Sequence, residues 1–432
     1  MKIVHVADIH LGRRRLDGRL PDKDFADAFG FVASKAIEEK ADVFLIAGDL
    51  FDRPQVEPPH LRQAQQVLLK LKQAGVPVIA IEGNHDKASP NSEAPTWLQY
   101  LAEDELLTLL QTRFDKTGPL LTKWESPRQG GAWIDLGGVR FVGTGYYGAA
   151  TPHRINGIAT QLEPQRTHVV LLHAGPEKYF GEGGGFSSAD LKTLREKVCY
   201  LALGHLHKPQ LHEGWACNPG SPENCDLREA EYGFGPNGKP LPRGFAVVEI
   251  DPMRRDRPLS VEIRNNERRP CERLTMDCAI FREQPRDADA LIDAAAQLIR
   301  KRKLRAETVV ELDLRGPLDL KRMMLDLPTL CAAIEKAADV FAVTFDLRNL
   351  NAEIAGATED AGLENTSRED LEKNAIRGLV EERIPVELDG RANDFAELFY
   401  ALKEAVRVGR SGEELAEQIS QSSLVEIMQK SV

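Results

Sequence analysis

Five short polar motifs, each standing where a run of strand-forming residues stops, constrain this chain more than any other feature. Asp8-x-His10 follows the β-branched run at residues 2–6, Gly48-Asp49 follows the apolar run at 43–47, and Gly83-Asn84-His85-Asp86 follows a third at 77–81. Later, His173 closes a run from 168 to 172, and Gly204-His205-Leu206-His207 closes one from 200 to 203. Helix-period apolar positions at 24–39 and 59–74 separate the first three strands, and a βαβαβ order predicts a parallel sheet covered by helices. Such sheets bind ligands in the crevice outside the carboxyl ends of their strands. The pattern therefore gathers Asp8, His10, Asp49, Asn84, His173, His205 and His207 at one edge.

These seven groups offer carboxylate, imidazole and amide donors, a mixture that suits manganese, iron or zinc rather than calcium and has no thiolate to select a soft metal. Seven donors are enough for two divalent ions with one shared carboxylate. Ions about 3.5–4 Å apart can bridge a hydroxide and clamp a phosphoryl oxygen, stabilising both the attacking and the leaving oxygen of an in-line displacement. Phosphoester hydrolysis is the reaction such a set predicts. Asp-x-His alone says little; the whole series, in this order and each member ending a strand, is specific.

At 432 residues the chain has room for two or three domains. It has no apolar run long enough to span a bilayer, and Asp8 interrupts the N-terminus where a signal peptide needs apolar residues. A cytoplasmic, nucleoid-associated location is expected. The six cysteines form no CxxC pair, which argues against a disulfide framework or a cysteine-built zinc site. The net charge of −11 argues against a blanket nucleic-acid binder, but most of the excess acid lies beyond residue 350. Within the nearly neutral body, basic residues cluster at Arg13-Arg14-Arg15 with Arg19, from Arg254 to Arg273, and from Arg300 to Arg305. These are candidate phosphate contacts. The glycine-rich 181–185 stretch lacks a following Lys-Ser/Thr, so it is no Walker loop.

From about 120 to 219, short strands separated by glycine and proline turns, with one helix near 189–196, predict a second, more antiparallel sheet. The first domain is expected to span 1–250. Residues 251–350 read as a small α+β domain, with strands near 273–281, 308–314 and 341–347 and helices near 286–302 and 327–337. A polar linker at 351–365 leads to a helical tail, 366–432. There Phe395, Leu398, Phe399 and Leu402 fall on one face, with a second apolar set from Leu415 to Met428. These helices are too short for a core of their own and require another surface. His5 and His168, beside or within strands, read as core histidines.

The motifs Asp8-x-His10, Gly48-Asp49-Leu50-Phe51-Asp52, Gly83-Asn84-His85-Asp86, His173 and Gly204-His205-x-His207 resemble the calcineurin-like metallophosphoesterase superfamily. More narrowly, Ala7-Asp8-Ile9-His10-Leu11-Gly12, Ile46-Ala47-Gly48-Asp49-Leu50-Phe51 and Ala80-Ile81-Glu82-Gly83-Asn84-His85-Asp86, with Asn218-Pro219-Gly220-Ser221-Pro222-Glu223 and Arg243-Gly244-Phe245, resemble its SbcD nucleases and their relatives in double-strand-break repair. That resemblance implies a four-layer α/β/β/α sandwich, a capping domain that helps bind DNA, and a tail that docks on an SbcC-like SMC-type ABC ATPase. It implies a manganese-dependent nuclease with two ions, one held by Asp8, His10, Asp49 and His207 and the other by Asp49, Asn84, His173 and His205. His85 would face the scissile phosphate, and Asp52, from the extended Gly-Asp-x-x-Asp-Arg motif, would pair with His85. Arg13, Arg14 and Arg53 become candidate phosphate or DNA contacts. A homodimer would form through helices 59–74 and 95–106, with Leu61, Leu68, Trp97, Leu98 and Leu101 as candidate contacts. Gly-Asp-x-x-Asp-Arg also keeps open a phosphatase of nucleotides or phosphoproteins, and the appended segments keep open a scaffold.

Overall fold

A computed structural model describes residues 1–87, 94–116, 118–179, 185–233, 242–281, 288–316, 327–350, 377, 392–407 and 420. Its first sheet is laid down by β1 (Lys2–Val6), α1 (Lys23–Glu38), β2 (Val43–Ala47), α2 (Pro58–Gln73), β3 (Val78–Ile81), α3 (Trp97–Glu103) and β4 (Thr108–Leu109). A small hairpin of β5 (Arg113–Asp115) and β6 (Gly118–Leu120) leads to the second, built from β7 (Trp133–Leu136), β8 (Val139–Thr144), α4 (Thr151–Gln161), β9 (Thr167–His173), α5 (Ser188–Arg195), β10 (Tyr200–Gly204), β11 (Gln210–His212) and β12 (Ala216–Asn218). The chain then returns to the first sheet as β13 (Gly244–Glu249) and β14 (Ser260–Asn265).

The first sheet has the order β14-β13-β1-β2-β3-β4, with β1 to β4 parallel and β13 antiparallel to β1. The second runs β11-β12-β10-β9-β8-β7. Strand periodicity sorts the residues into layers. Val4, Val6, Phe44, Ile46, Val78 and Ala80 face α1, α2 and α3. Their alternates Ile3, Val43, Leu45, Ile79 and Ile81 meet Phe141, Val169, Leu171, Tyr200 and Ala202 between the sheets. Val142, Val170, Leu172, Leu201 and Leu203 then pack under α4 and α5. The product is the four-layer α/β/β/α sandwich, and each large side chain buried in it contributes about 1.5–3 kcal/mol.

The centre of the second sheet is parallel, contrary to the antiparallel expectation: β8, β9, β10 and β12 run in one direction, and antiparallel pairing is confined to the edges at β7 and β11. The crossover helix α4 makes this arrangement accessible, since parallel neighbours need a long return. Its sequence hid it, because Asn156 and Gly157 dilute a narrow buried face of Ile155, Ile158 and Ala159. By contrast α5 begins with a capping box between Ser187 and Asp190.

Residue 250 falls between β13 and β14 of one sheet, so the first sheet extends to Asn265. Beyond it, β15 (Cys271–Asp277), α6 (Ala288–Lys301), β16 (Val309–Arg315), α7 (Leu327–Ala338) and β17 (Ala342–Asp346) form a three-stranded parallel sheet with its own core of Leu274, Leu291, Ile299, Leu312 and Ile334. Met1–Leu350 is one compact unit. Buried ion pairs stitch it together: Asp24 of α1 receives Arg15 at 2.7 Å and Arg269 at 2.7 Å.

In the separate unit 351–432, α8 (Ala392–Arg407) is described. Phe395, Leu398 and Leu402 are half-buried on it and Phe399 is 50% exposed. The expected linker and the Leu415–Met428 set lie outside the described residues.

Three of the proposed dimer contacts, Leu68, Leu98 and Leu101, are fully buried under the first sheet, and Leu61 and Trp97 pack against the same core. The apolar periodicity of α2 and α3 is thus explained within one chain. Leu69 and Tyr100 are exposed on those helices.

His5 and His168 are buried. Across the two sheets, His5 Nδ1 lies 2.8 Å from the Tyr200 hydroxyl. Burial, only partly offset by a backbone hydrogen bond at Leu203, pushes the His5 pKa down to about 3. The unfolded chain binds a proton near pH 6.5 that the native chain refuses, so this contribution is present above pH 6.5 and is lost as pH falls toward 3. A His5→Gln variant should show an acid-side decline in unfolding free energy shallower by about 1.4 kcal/mol per pH unit between pH 6 and 4. Urea denaturation across that range checks this, and parallel curves for the two proteins would contradict it.

Candidate metal centre

The parallel strands β1, β2 and β3, and in the other sheet β9 and β10, end at the same edge of the sandwich, and at that edge the backbone leaves ordinary conformation. Asp8, His10, Asp49 and His205 all adopt positive φ, at +56°, +52°, +53° and +87°. Non-glycine residues there are strained by about 1–3 kcal/mol each, a cost that concentrates at functional sites. The surrounding hydrogen bonds hold them: Asp8 N–H donates to the Gly48 carbonyl at 3.1 Å, while the N–H groups of Ile9 and His10 share the Asp49 carbonyl at 2.8 and 3.0 Å. Two glycines permit the close approach. A Cβ on Gly48, itself at φ +92°, would strike the His173 ring, and one on Gly83 would strike the Asp49 carboxylate.

Into this edge project the seven expected donors. His10 Nε2 and His207 Nε2 face each other at 3.1 Å, and His10 Nε2 lies 3.7 Å from Asp49 Oδ2. On the other side, His173 Nε2 is 3.2 Å from Asp49 Oδ2 and 3.1 Å from Asn84 Oδ1. The His173 and His205 rings are 5.0 Å apart. Ligand atoms of Asp8, His10 and Asp49 lie within 4.8 Å of one another, as do those of Asp49, His173 and His205. Asp49 thus belongs to both groups. A 3.1 Å gap between two imidazole nitrogens suits neighbouring ligands of one cation at about 2.0–2.1 Å from each, so the donor set fits a pair of divalent ions.

The electrostatics point the same way. Burial, reinforced by the charge of Asp49, raises Asp8, although the nearby imidazoles pull the other way. For Asp49 burial is outweighed by His173, His10 and His85, which hold its carboxyl below the usual range. Burial depresses His173, but Asp49 and Asp8 overcome it and raise the pKa to about 9; burial and the charge of His173 push His205 down to about 3. Two buried carboxylates side by side are costly without a cation to answer them.

Several further residues support these donors. Asp86 is buried and accepts from the N–H groups of Gly83 at 2.9 Å, Phe51 at 2.9 Å and Leu50 at 3.2 Å, tying the second motif to the third. Burial and the neighbouring Asp49 push its pKa up to about 7. The Ala47 carbonyl holds His173 Nδ1 at 2.7 Å, and Glu229 holds His207 Nδ1 at 2.5 Å. Cys225 lies within 4.8 Å of ring nitrogens of His10 and His207, but burial pushes its thiol up to about 11. The Tyr146 ring leans on His205 at 5.0 Å. Asp86 already stands in the third motif, though not as a donor; Glu229, one acid in the run 223–231, has no such mark.

The expected pairing of the Asp52 carboxylate with His85 is replaced by a backbone contact: the Asp52 carbonyl lies 2.8 Å from His85 Nδ1. The carboxylate turns instead to Arg13 at 3.1 Å and lies 3.3 Å from His10 Nδ1. His85 sits edge-on to His10, ring centres 4.9 Å apart. Arg53 is 71% exposed with its Nε 3.6 Å from Asp52, and Arg14 is 62% exposed and paired with Glu57. Much of the remaining positive charge is internally matched. Arg15 is buried on Asp24 and Glu223, Arg269 pairs with Asp24, Arg264 with Glu39, and Arg273 with Glu311 and Asp346.

Residues 1–209 match the model of the calcineurin-like phosphoesterase family. It is similar to the DNA double-strand break repair protein Mre11 of Archaeoglobus fulgidus, 34% identical over 236 residues that cover 53% of this chain and 52% of that one. The Mre11 protein of Aeropyrum pernix is 29% identical over 218 residues, covering 49% and 50%. The chain spans about half the length of these curated relatives. A solved dimetal phosphatase from Danio rerio shares 13% identity over 57% of this chain and 92% of its own, with a TM-score of 0.34. No helix among the described residues is long and apolar enough to cross a membrane.

A Gly83→Ala variant should displace the shared carboxylate and weaken Mn²⁺ binding at least about tenfold. Calorimetric titration reads this directly, and wild-type affinity at both sites would contradict the close-approach argument.

Proposed function

We propose that this protein is a manganese-dependent DNA nuclease acting on broken ends. The observation that carries the reading is the convergence of Asp8, His10, Asp49, Asn84, His173, His205 and His207 on one edge of the two-sheet sandwich. The names of the relatives, DNA double-strand break repair proteins, support DNA as the substrate.

In this reading Asp8, His10, Asp49 and His207 hold one ion, and Asp49, Asn84, His173 and His205 the other. When bound, the pair supplies a hydroxide nucleophile and neutralises charge on the phosphodiester. The rest falls to the chain. His85, anchored through Nδ1–H on the Asp52 carbonyl, keeps Nε2 for the substrate, where the imidazolium can give its proton to the leaving 3′ oxygen. Asp52 orients Arg13, and the exposed Arg14 and Arg53 offer charge to the DNA backbone.

The three-stranded unit following Asn265 serves as a DNA-binding cap in this proposal. The face of α8 bearing Phe395, Leu398, Phe399 and Leu402 docks on an SMC-type ATPase, and a second copy of the chain completes a homodimer in the cytoplasm. Deleting residues 366–432 should abolish co-purification with the ATPase while metal-dependent hydrolysis persists; retained binding would remove the tail assignment.

The test of activity is hydrolysis of end-labelled linear duplex and circular single-stranded DNA in Mn²⁺. His85→Ala should lower cleavage at least about 100-fold with Mn²⁺ uptake unchanged. Wild-type protein that cleaves no DNA yet hydrolyses a small phosphodiester would point instead to another phosphoesterase.

A further inference from the structure

Glu229 lies outside every motif of the metal edge, yet its two oxygens divide their work. Oε1 goes, among the described residues, to His207, at 2.5 Å from Nδ1. Oε2 accepts from Cys225 N–H at 2.9 Å, the Ser221 hydroxyl at 3.3 Å and Arg243 Nη1 at 3.4 Å. Arg243 is itself buried and donates to the Ser221 hydroxyl at 3.1 Å and to the Asn224 side chain. The carboxylate is therefore locked in orientation by three donors on one oxygen, Arg243 among them, which leaves its other oxygen fixed on the imidazole.

The segment around it is built to the same end. Asn218 donates to the Leu206 carbonyl at 2.7 Å, and Ser221 N–H donates to the His207 carbonyl at 3.2 Å, so the main chain carrying His207 is held by the same stretch. His173 across the centre leans on a neutral backbone carbonyl instead.

We propose that Glu229 is the positioning residue for the His10–His207 half of the centre. It holds His207 with Nδ1–H as donor, presents the Nε2 lone pair to the cation, and makes the imidazole a stronger ligand through its negative charge. The inference rests on the two-ion reading. It predicts an asymmetry: the ion of Asp8, His10, Asp49 and His207 depends on a buried anion outside its ligand set, whereas the ion of Asn84, His173 and His205 does not depend on Glu229.

Mn²⁺ titration calorimetry of the full chain tests this without reference to DNA. Glu229→Gln, which keeps the shape and removes the charge, should retain two binding events but weaken one about 10- to 100-fold, leaving the other within about twofold. In a His207→Gln background the same change should add nothing beyond about twofold, because the residue through which it acts is gone. Unchanged affinities with a lower melting temperature of the metal-free protein would mean a merely structural carboxylate and overturn the proposal, as would a further tenfold loss in the His207→Gln background. Should Glu229→Gln fail to fold, ¹⁵N-histidine NMR of the Zn²⁺-loaded wild-type protein decides, with His207 assigned by its loss in His207→Gln. Protonated Nδ1 and metal-bound Nε2 support the proposal; the reverse overturns it. A wild-type chain that takes up no Mn²⁺ removes the two-ion reading itself, while one that binds two ions but cleaves no DNA removes only the nuclease.

Discussion

Two buried carboxylates, Asp8 and Asp49, end neighbouring parallel strands, and much of the surrounding structure answers the charge they concentrate. Parallel pairing puts the two strand ends in step, with Val6 opposite Ile46 and Ala47 opposite Ile81. Because the register is set by the hydrophobic core, the acids cannot separate without unpacking the sheet. Left-handed backbone at Asp8, His10 and Asp49, and glycines at 48 and 83, follow from packing side chains and main chain so tightly at one edge. Four histidines from both sheets then complete a pocket of donors whose mutual spacing is natural around cations.

The first sheet and the cluster of candidate donors at its edge were legible because their signals are local. A β-branched run stops at a polar motif, and the carboxyl edge of a parallel sheet is the default place for a site. What the sequence hid was non-local. The parallel centre of the second sheet depends on α4, whose apolar face is short and diluted by Asn156 and Gly157. The partner of His85 was misread because a carboxylate at residue 52 draws attention, while the contact is made by the carbonyl of the same residue. Glu229 reaches His207 across 22 residues, with no spacing rule to mark it. Apolar periodicity on α2 and α3 cannot distinguish core from interface, and here Leu68, Leu98 and Leu101 are core.

Charge required similar revision. A cluster such as Arg13-Arg14-Arg15 reads as one basic patch, but its members have three fates: Arg13 partners Asp52, Arg14 is exposed beside Glu57, and Arg15 is buried on Asp24 and Glu223. Asp24 also receives Arg269, close to the start of the three-stranded unit, and Glu223 accepts from the Arg269 N–H at 3.3 Å. Glu223 and Glu229 both lie in the loop that supports His207. Ion pairs and hydrogen bonds among Arg15, Asp24, Glu223 and Arg269 thus tie the loop beside the metal edge to the start of the three-stranded unit.

The central claim is that one edge of the two-sheet sandwich holds two divalent ions with Asp49 between them. Anomalous diffraction from crystals soaked in Mn²⁺ addresses it most directly. The account predicts two peaks, one among Asp8, His10, Asp49 and His207 and one among Asp49, Asn84, His173 and His205. A single peak, or manganese bound away from Asp49, would contradict it.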